Sequence, residues 1–202
     1  MNATVLSDAV LCAAALAAML LARPRWLAMV GFALLALAAA AGCLRYGGLA
    51  QLQPLHQGLS FLAGTLGLPL VLLGYAAPRG AVLIVGALAV LSAAAWMQPM
   101  ARLTVALATL LGWALLALRG RRQPRVAAAI ALGIAASLVA GVFAPQGRAP
   151  DIILMHYALA LAQLAFGLAL HLRYKNITMP SPTQARPGET CGNTHSATPP
   201  AR

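Results

Sequence analysis

The chain has 202 residues, of which 61% are hydrophobic and only 8% charged, with a mean hydropathy of +0.83. A water-soluble domain carries about a quarter charged residues, so this composition excludes one and indicates an all-α integral membrane protein. The net charge of +11 would suggest nucleic acid in a soluble protein. Here the arginines fall in the gaps between apolar runs, as in a multi-pass membrane protein, and no nucleic-acid partner is expected.

Seven apolar runs follow one another, covering about 4–22, 26–44, 57–76, 81–97, 102–118, 126–144 and 152–172. Turn and charge signals such as RPR, RYGG, APRG and RGRRQPR separate them. Each run is near the length that crosses a bilayer core of about 30 Å, and the lipid interior leaves helices as the way to satisfy the backbone. The expectation is a seven-helix bundle with the lipid bilayer as its surroundings. The first run lacks a positive n-region and carries Asp8, so it reads as a true membrane helix rather than a secretory signal. Three cysteines, two of them (Cys12 and Cys43) inside apolar runs, give no disulfide framework.

With the N-terminus outside, eleven of the fourteen basic residues lie on the inner side and three, Arg45, Arg102 and Arg148, on the outer. That asymmetry predicts N-out, C-in. Arginine-rich, lysine-poor usage points to a GC-rich bacterial gene and hence to the bacterial inner membrane. Residues 176–202 turn to Pro, Thr, Ser and Gly and are expected to form a disordered cytoplasmic tail. Cys191 and His195 within it are only half of a zinc site.

Two packing signals stand out. Gly133, Ser137 and Gly141 put small residues on one face of the sixth helix, where a neighbour can approach closely. Pro69 inside the third run should kink it and free the Thr65 carbonyl, which another donor must satisfy.

Polar side chains within the runs are few. In the last run, at about 100° per residue, His156, Gln163 and His171 form one stripe, which should face other helices or a wet cavity. His156 is the firmest candidate, Gln163 reads as an interhelical hydrogen-bonding group and His171, beside Arg173, as a snorkelling residue. Asp151 follows Pro150 and reads as a helix cap. Asp8 lies about one turn inside the first helix, because starting that helix at Ala9 would leave it too short to span. Pro54 suits the first turn of the third helix, projecting His56 from its outer end with Ser60 one turn deeper. Asp8, His56 and His156 thus share one depth on three helices. Two imidazoles and a carboxylate suit a Zn²⁺ with an open water position, with Asp8 or Asp151 as the third ligand. Alternatively, the two histidines would be axial ligands of a haem, with Arg45 near a propionate.

The Ser7-Asp8 pair, the His56–Gly58 stretch and Asp151 with His156 resemble an uncharacterised family of bacterial seven-helix membrane proteins. More distantly, the arrangement is similar to the superfamily of alkaline ceramidases and adiponectin-type receptors. That resemblance implies a membrane-embedded zinc and hydrolysis of amide or ester bonds in lipids, with His56 and His156 as ligands and Asp8 orienting or deprotonating the water. The sequence departs from the pattern: a second histidine one turn after His156 is replaced by Ala160, and Ser60 follows His56 instead of preceding it. These residues fit a metal-dependent lipid hydrolase with a small-ligand or metal site in the outer leaflet, or a non-catalytic bundle that assists a protein partner. A haem-binding electron-transfer subunit and a small-solute carrier stand behind them. They separate on whether Asp8, His56 and His156 converge.

Overall fold

The computed structural model describes residues 2–76, 81–143 and 149–178, and these are all-helical with no strand among them. Seven helices follow in order: α1 (Ala3–Leu21), α2 (Trp26–Tyr46), α3 (Ala50–Ala76), α4 (Ala81–Met97), α5 (Pro99–Arg119), α6 (Pro124–Phe143) and α7 (Ala149–Thr178). Six of them contain segments long and apolar enough to cross a membrane, and α4 is shorter, with its apolar stretch at Ile84–Ala94. Large apolar side chains stand on the outer surface, among them Leu37, Val90, Leu111, Leu118 and Val142. A water-facing surface would carry charge at such positions.

The termini of the helices follow local chemistry. Asn2 caps α1, its Oδ1 accepting from the Thr4 amide at 3.1 Å. Pro99 opens α5 after a one-residue link, Gln98, so this helix starts three residues before the expected position. Helix α7 opens at Ala149, which puts Asp151 in its first turn instead of at the cap position. The same helix runs on to Thr178, past the point where the tail was expected to begin. The remainder of that tail, with Cys191 and His195, lies outside the described residues, as does Arg148.

Helix α3 is not uniform. It opens with a 3-10 turn (Ala50–Leu52), continues as α-helix from Gln53, and widens into a π-helical turn at Ala63–Gly67 before resuming at Leu68. The Leu68 amide reaches back to the Ala63 carbonyl, and Pro69 has no amide to offer Thr65. Ser92 of α4 supplies the missing donor, its Oγ lying 3.3 Å from the Thr65 carbonyl.

Helices α1, α2, α3, α6 and α7 form the tightly packed part of the bundle. Close approach depends on small residues: a Cβ on Gly167 would stand 2.8 Å from the Ala18 backbone of α1, and one on Gly31 would meet the Gly67 carbonyl of α3 at 2.4 Å. A Cβ on Gly133 would meet the Phe166 ring at 2.6 Å, so this residue of the small α6 face does receive a neighbour. Gly141 has open space instead. An aromatic stack of Trp113 on Phe166 (ring centroids 4.4 Å apart), with Tyr75 against Trp113 (5.2 Å), joins α5 and α3 to α7.

Two arginines close one end of the bundle. Arg25 Nη1 donates to the Gly74 and Tyr75 carbonyls at 2.9 and 3.0 Å, and Arg173 Nη1 to the Tyr75 carbonyl at 2.7 Å. They satisfy the last carbonyls of α3, where cations also suit the helix dipole. Burial, and then the neighbouring Arg173 charge, hold Arg25 below the usual guanidinium range. Arg45 and Arg102 belong to the opposite end, with Asp8, His56 and His156.

Candidate functional site

Asp8 and Ser7 are adjacent on α1 and both are fully buried, Asp8 at 1% exposure. Room for the carboxyl comes from α2, where a Cβ on Gly42 would stand 2.5 Å from Asp8 Oδ2. His156 of α7 meets the same point. Its Nδ1 lies 3.0 Å from Ser7 Oγ and 3.3 Å from Asp8 Oδ1. Ser7 Oγ also donates to the Thr4 carbonyl at 2.9 Å. With its single proton used there, the hydroxyl can only accept from His156, so Nδ1 carries the ring proton and Nε2 keeps a lone pair.

Among the described residues neither Asp8 carboxyl oxygen makes a hydrogen bond, and a buried polar group without one costs several kcal/mol. Such groups are rare and gather where chemistry needs them.

His56 enters from α3. Its Nδ1 lies 3.1 Å from the Ala38 carbonyl, which can only accept, so this ring too is protonated on Nδ1 and keeps its Nε2 lone pair. The Tyr46 ring packs edge-on against it at 5.9 Å. Asp8, His56, Ser60 and His156 line one cavity of about 360 Å³, closed by apolar residues such as Leu35, Met155 and Leu159. That volume is in the range of small-molecule sites.

The three residues singled out from the sequence therefore come to one cavity, two of them in contact. Asp151 is not among the lining residues. The polar stripe of α7 divides: His156 and Gln163 are buried, whereas His171 is exposed near the opposite end. Gln163 was expected to bond a neighbouring helix, yet its carboxamide meets no protein partner at either end among the described residues. Gly42 has no part in the site expected from the sequence, and Ser7 enters that expectation only as the neighbour of Asp8. Only the pairing of α1 with α2 and α7 reveals them.

No protein-family model matches the chain, and no curated protein or solved structure matches it. A catalytic zinc takes three protein ligands and a water. Among the described residues no group of three His, Cys, Asp or Glu side chains is placed to hold a metal ion. Asp8 sits against Nδ1, where a carboxylate orients an imidazole, and does not join the two Nε2 atoms as a third ligand. The set is one ligand short for the zinc that the resemblance implies. What the arrangement offers directly is an imidazole base, held by a hydroxyl and backed by a carboxylate able to stabilise the imidazolium.

Proposed function

We propose that this chain is a multi-pass membrane protein that binds a small ligand in the Asp8–His56–His156 cavity and acts on it by acid–base chemistry. Hydrolysis of an ester or amide bond in a lipid is the reaction class. The observation that carries this reading is the buried Asp8 carboxylate, without a hydrogen bond and 3.3 Å from a histidine, in the wall of a ligand-sized cavity. A bundle that merely packs has no use for such a group, which would be less costly as an alanine. The Nδ1 positions of both histidines are tied back, and this favours a site presenting two Nε2 lone pairs over polar residues scattered at random.

In this mechanism water in the cavity gives a proton to His156 Nε2 as its oxygen attacks the carbonyl carbon. Asp8 stabilises the imidazolium so formed, and the imidazolium returns the proton to the departing alcohol or amine. Positioned general-base catalysis contributes about 10²–10⁴-fold.

The test is hydrolysis of a panel of lipid esters and amides by the purified protein. His156→Gln should lower turnover at least about hundredfold while the thermal midpoint stays within a few degrees. A wild-type protein no more active than His156→Gln on every substrate would overturn the reaction. Metal analysis of the same preparation should return zinc well below one per chain, and chelation should leave turnover unchanged. Stoichiometric zinc lost in His156→Ala would instead restore the metal-dependent reading.

A further inference from the structure

The Asp8–His156 cavity is one of three that meet at the same place. A second, of about 810 Å³, is lined by Arg45, His56, Gln57, Ser60, Trp96 and Arg102 among others. A third, of about 340 Å³, lies against Leu110, Trp113, Ala140, Gly141 and Phe166. Gly64 and Leu68 line all three, and both stand at the π-helical turn of α3. His56 and Ser60 are shared by the first two, and Met155 and Leu159 by the first and third.

The chemistry changes sharply from one cavity to the next. The large one carries two guanidinium groups and no lining carboxylate among the described residues. Both arginines are held by their surroundings: Arg45 lies over the Tyr46 ring at 4.7 Å, and Arg102 over the Phe61 ring at 4.8 Å, with Nη2 donating to the Trp96 carbonyl at 3.4 Å. Two fixed cations on one concave wall raise the local concentration of anions, and guanidinium matches phosphate in shape and donor geometry. The middle cavity has mostly apolar walls, into which Asp8, His56, Ser60 and His156 bring its polar groups. The third is walled by aromatic and aliphatic side chains.

We infer that the ligand is a single-chain amphiphile with a phosphate monoester head. The head lies between Arg45 and Arg102, and the apolar chain lies along Trp113 and Phe166. The linkage joining them passes His156. A phosphate monoester carries a charge of about −1.5 to −2 near neutral pH, which two guanidiniums neutralise. This inference rests on the reading of the middle cavity as a ligand site, and it names the class of molecule that fits there.

The experiment is equilibrium binding to the full chain in a neutral detergent. The probes are oleoyl-lysophosphatidate, the zwitterionic oleoyl-lysophosphatidylcholine and inorganic phosphate. The anionic lipid should bind at least about tenfold more tightly than the zwitterionic one, the loss expected on removing a charge-assisted contact. Inorganic phosphate should fail to compete at millimolar concentration. Arg45→Gln with Arg102→Gln should abolish the preference for the anionic lipid and leave binding of the zwitterionic one unchanged. Gly64→Leu should remove binding of both lipids. A Cβ there meets nothing within 4 Å, and a thermal midpoint within a few degrees of the wild type checks that the variant folds while its side chain fills the junction.

Equal affinity for the two lipids, effective competition by phosphate, or unchanged binding in Gly64→Leu would each overturn the inference. The two proposals fail separately. Selective binding by a protein that hydrolyses nothing leaves this ligand class standing and removes the reaction. Hydrolysis intact with no head-group preference does the reverse.

Discussion

At the level of single residues, the Asp8 carboxyl and Gly42 are complementary shapes. A methyl group on residue 42 would overlap the carboxyl by more than any real contact allows, at 2.5–2.9 Å from its three atoms. Gly42→Ala should therefore destabilise the protein by about 1–3 kcal/mol, the usual result of overpacking. In an Asp8→Ala background the same change should have an effect below about 1 kcal/mol, because the clash has gone. A double-mutant cycle on the unfolding free energy measures the difference. Asp8→Asn asks a different question. The amide keeps the shape and removes a charge that no hydrogen bond stabilises, so the thermal midpoint should hold or rise while hydrolysis falls at least about hundredfold. A fall in both would make Asp8 a structural residue. The sequence shows Asp8 and His156 because carboxylates and imidazoles are rare in such runs. It conceals Gly42 and the contact of Ser7 with His156, since a serine and a glycine in an Ala-rich helix are ordinary until the opposing face is known.

Among the elements, α3 departs most from regular helix, and its departure has a local cause. Pro69 withholds the amide that Thr65 would use, the helix widens by one residue over Ala63–Gly67, and Ser92 of α4 covers the orphaned carbonyl. Ser92→Ala should thus cost about 1 kcal/mol, the net worth of a buried hydrogen bond. After Pro69→Ala, which restores the amide, the same substitution should cost markedly less. Equal costs in the two backgrounds, read from thermal unfolding, would sever the link between proline and serine. The freed carbonyl is legible from the position of Pro69 alone. Which neighbour answers it depends on how α4 packs, so Ser92 is not written in the local pattern. Helix ends show the same division. Pro54 declares itself as a start signal, whereas the run of α7 to Thr178 exceeds what its apolar residues imply.

At the scale of the whole molecule, the two ends of the bundle are chemically distinct. One gathers Arg25 and Arg173 onto the last carbonyls of α3. The other holds Arg45 and Arg102 around a cavity leading towards Asp8 and His156. Charge counting along the sequence assigns these pairs to opposite sides of a membrane, and the helix lengths keep them apart. The same counting puts the cavity end outside and the tail inside, and cysteine accessibility tests this. With Cys12 and Cys43 replaced by alanine, Cys191 in the tail is the remaining thiol. A membrane-impermeant maleimide should label it only after cells are permeabilised. Adding Gln51→Cys, at an exposed position in the 3-10 turn of α3, should give a second thiol that reacts in intact cells. Labelling in the reverse order would turn the bundle over and bring the Arg45–Arg102 cavity to the cytoplasmic face. Its ligand would then come from the inner leaflet, while the contacts of Asp8 with His156 would stand unchanged.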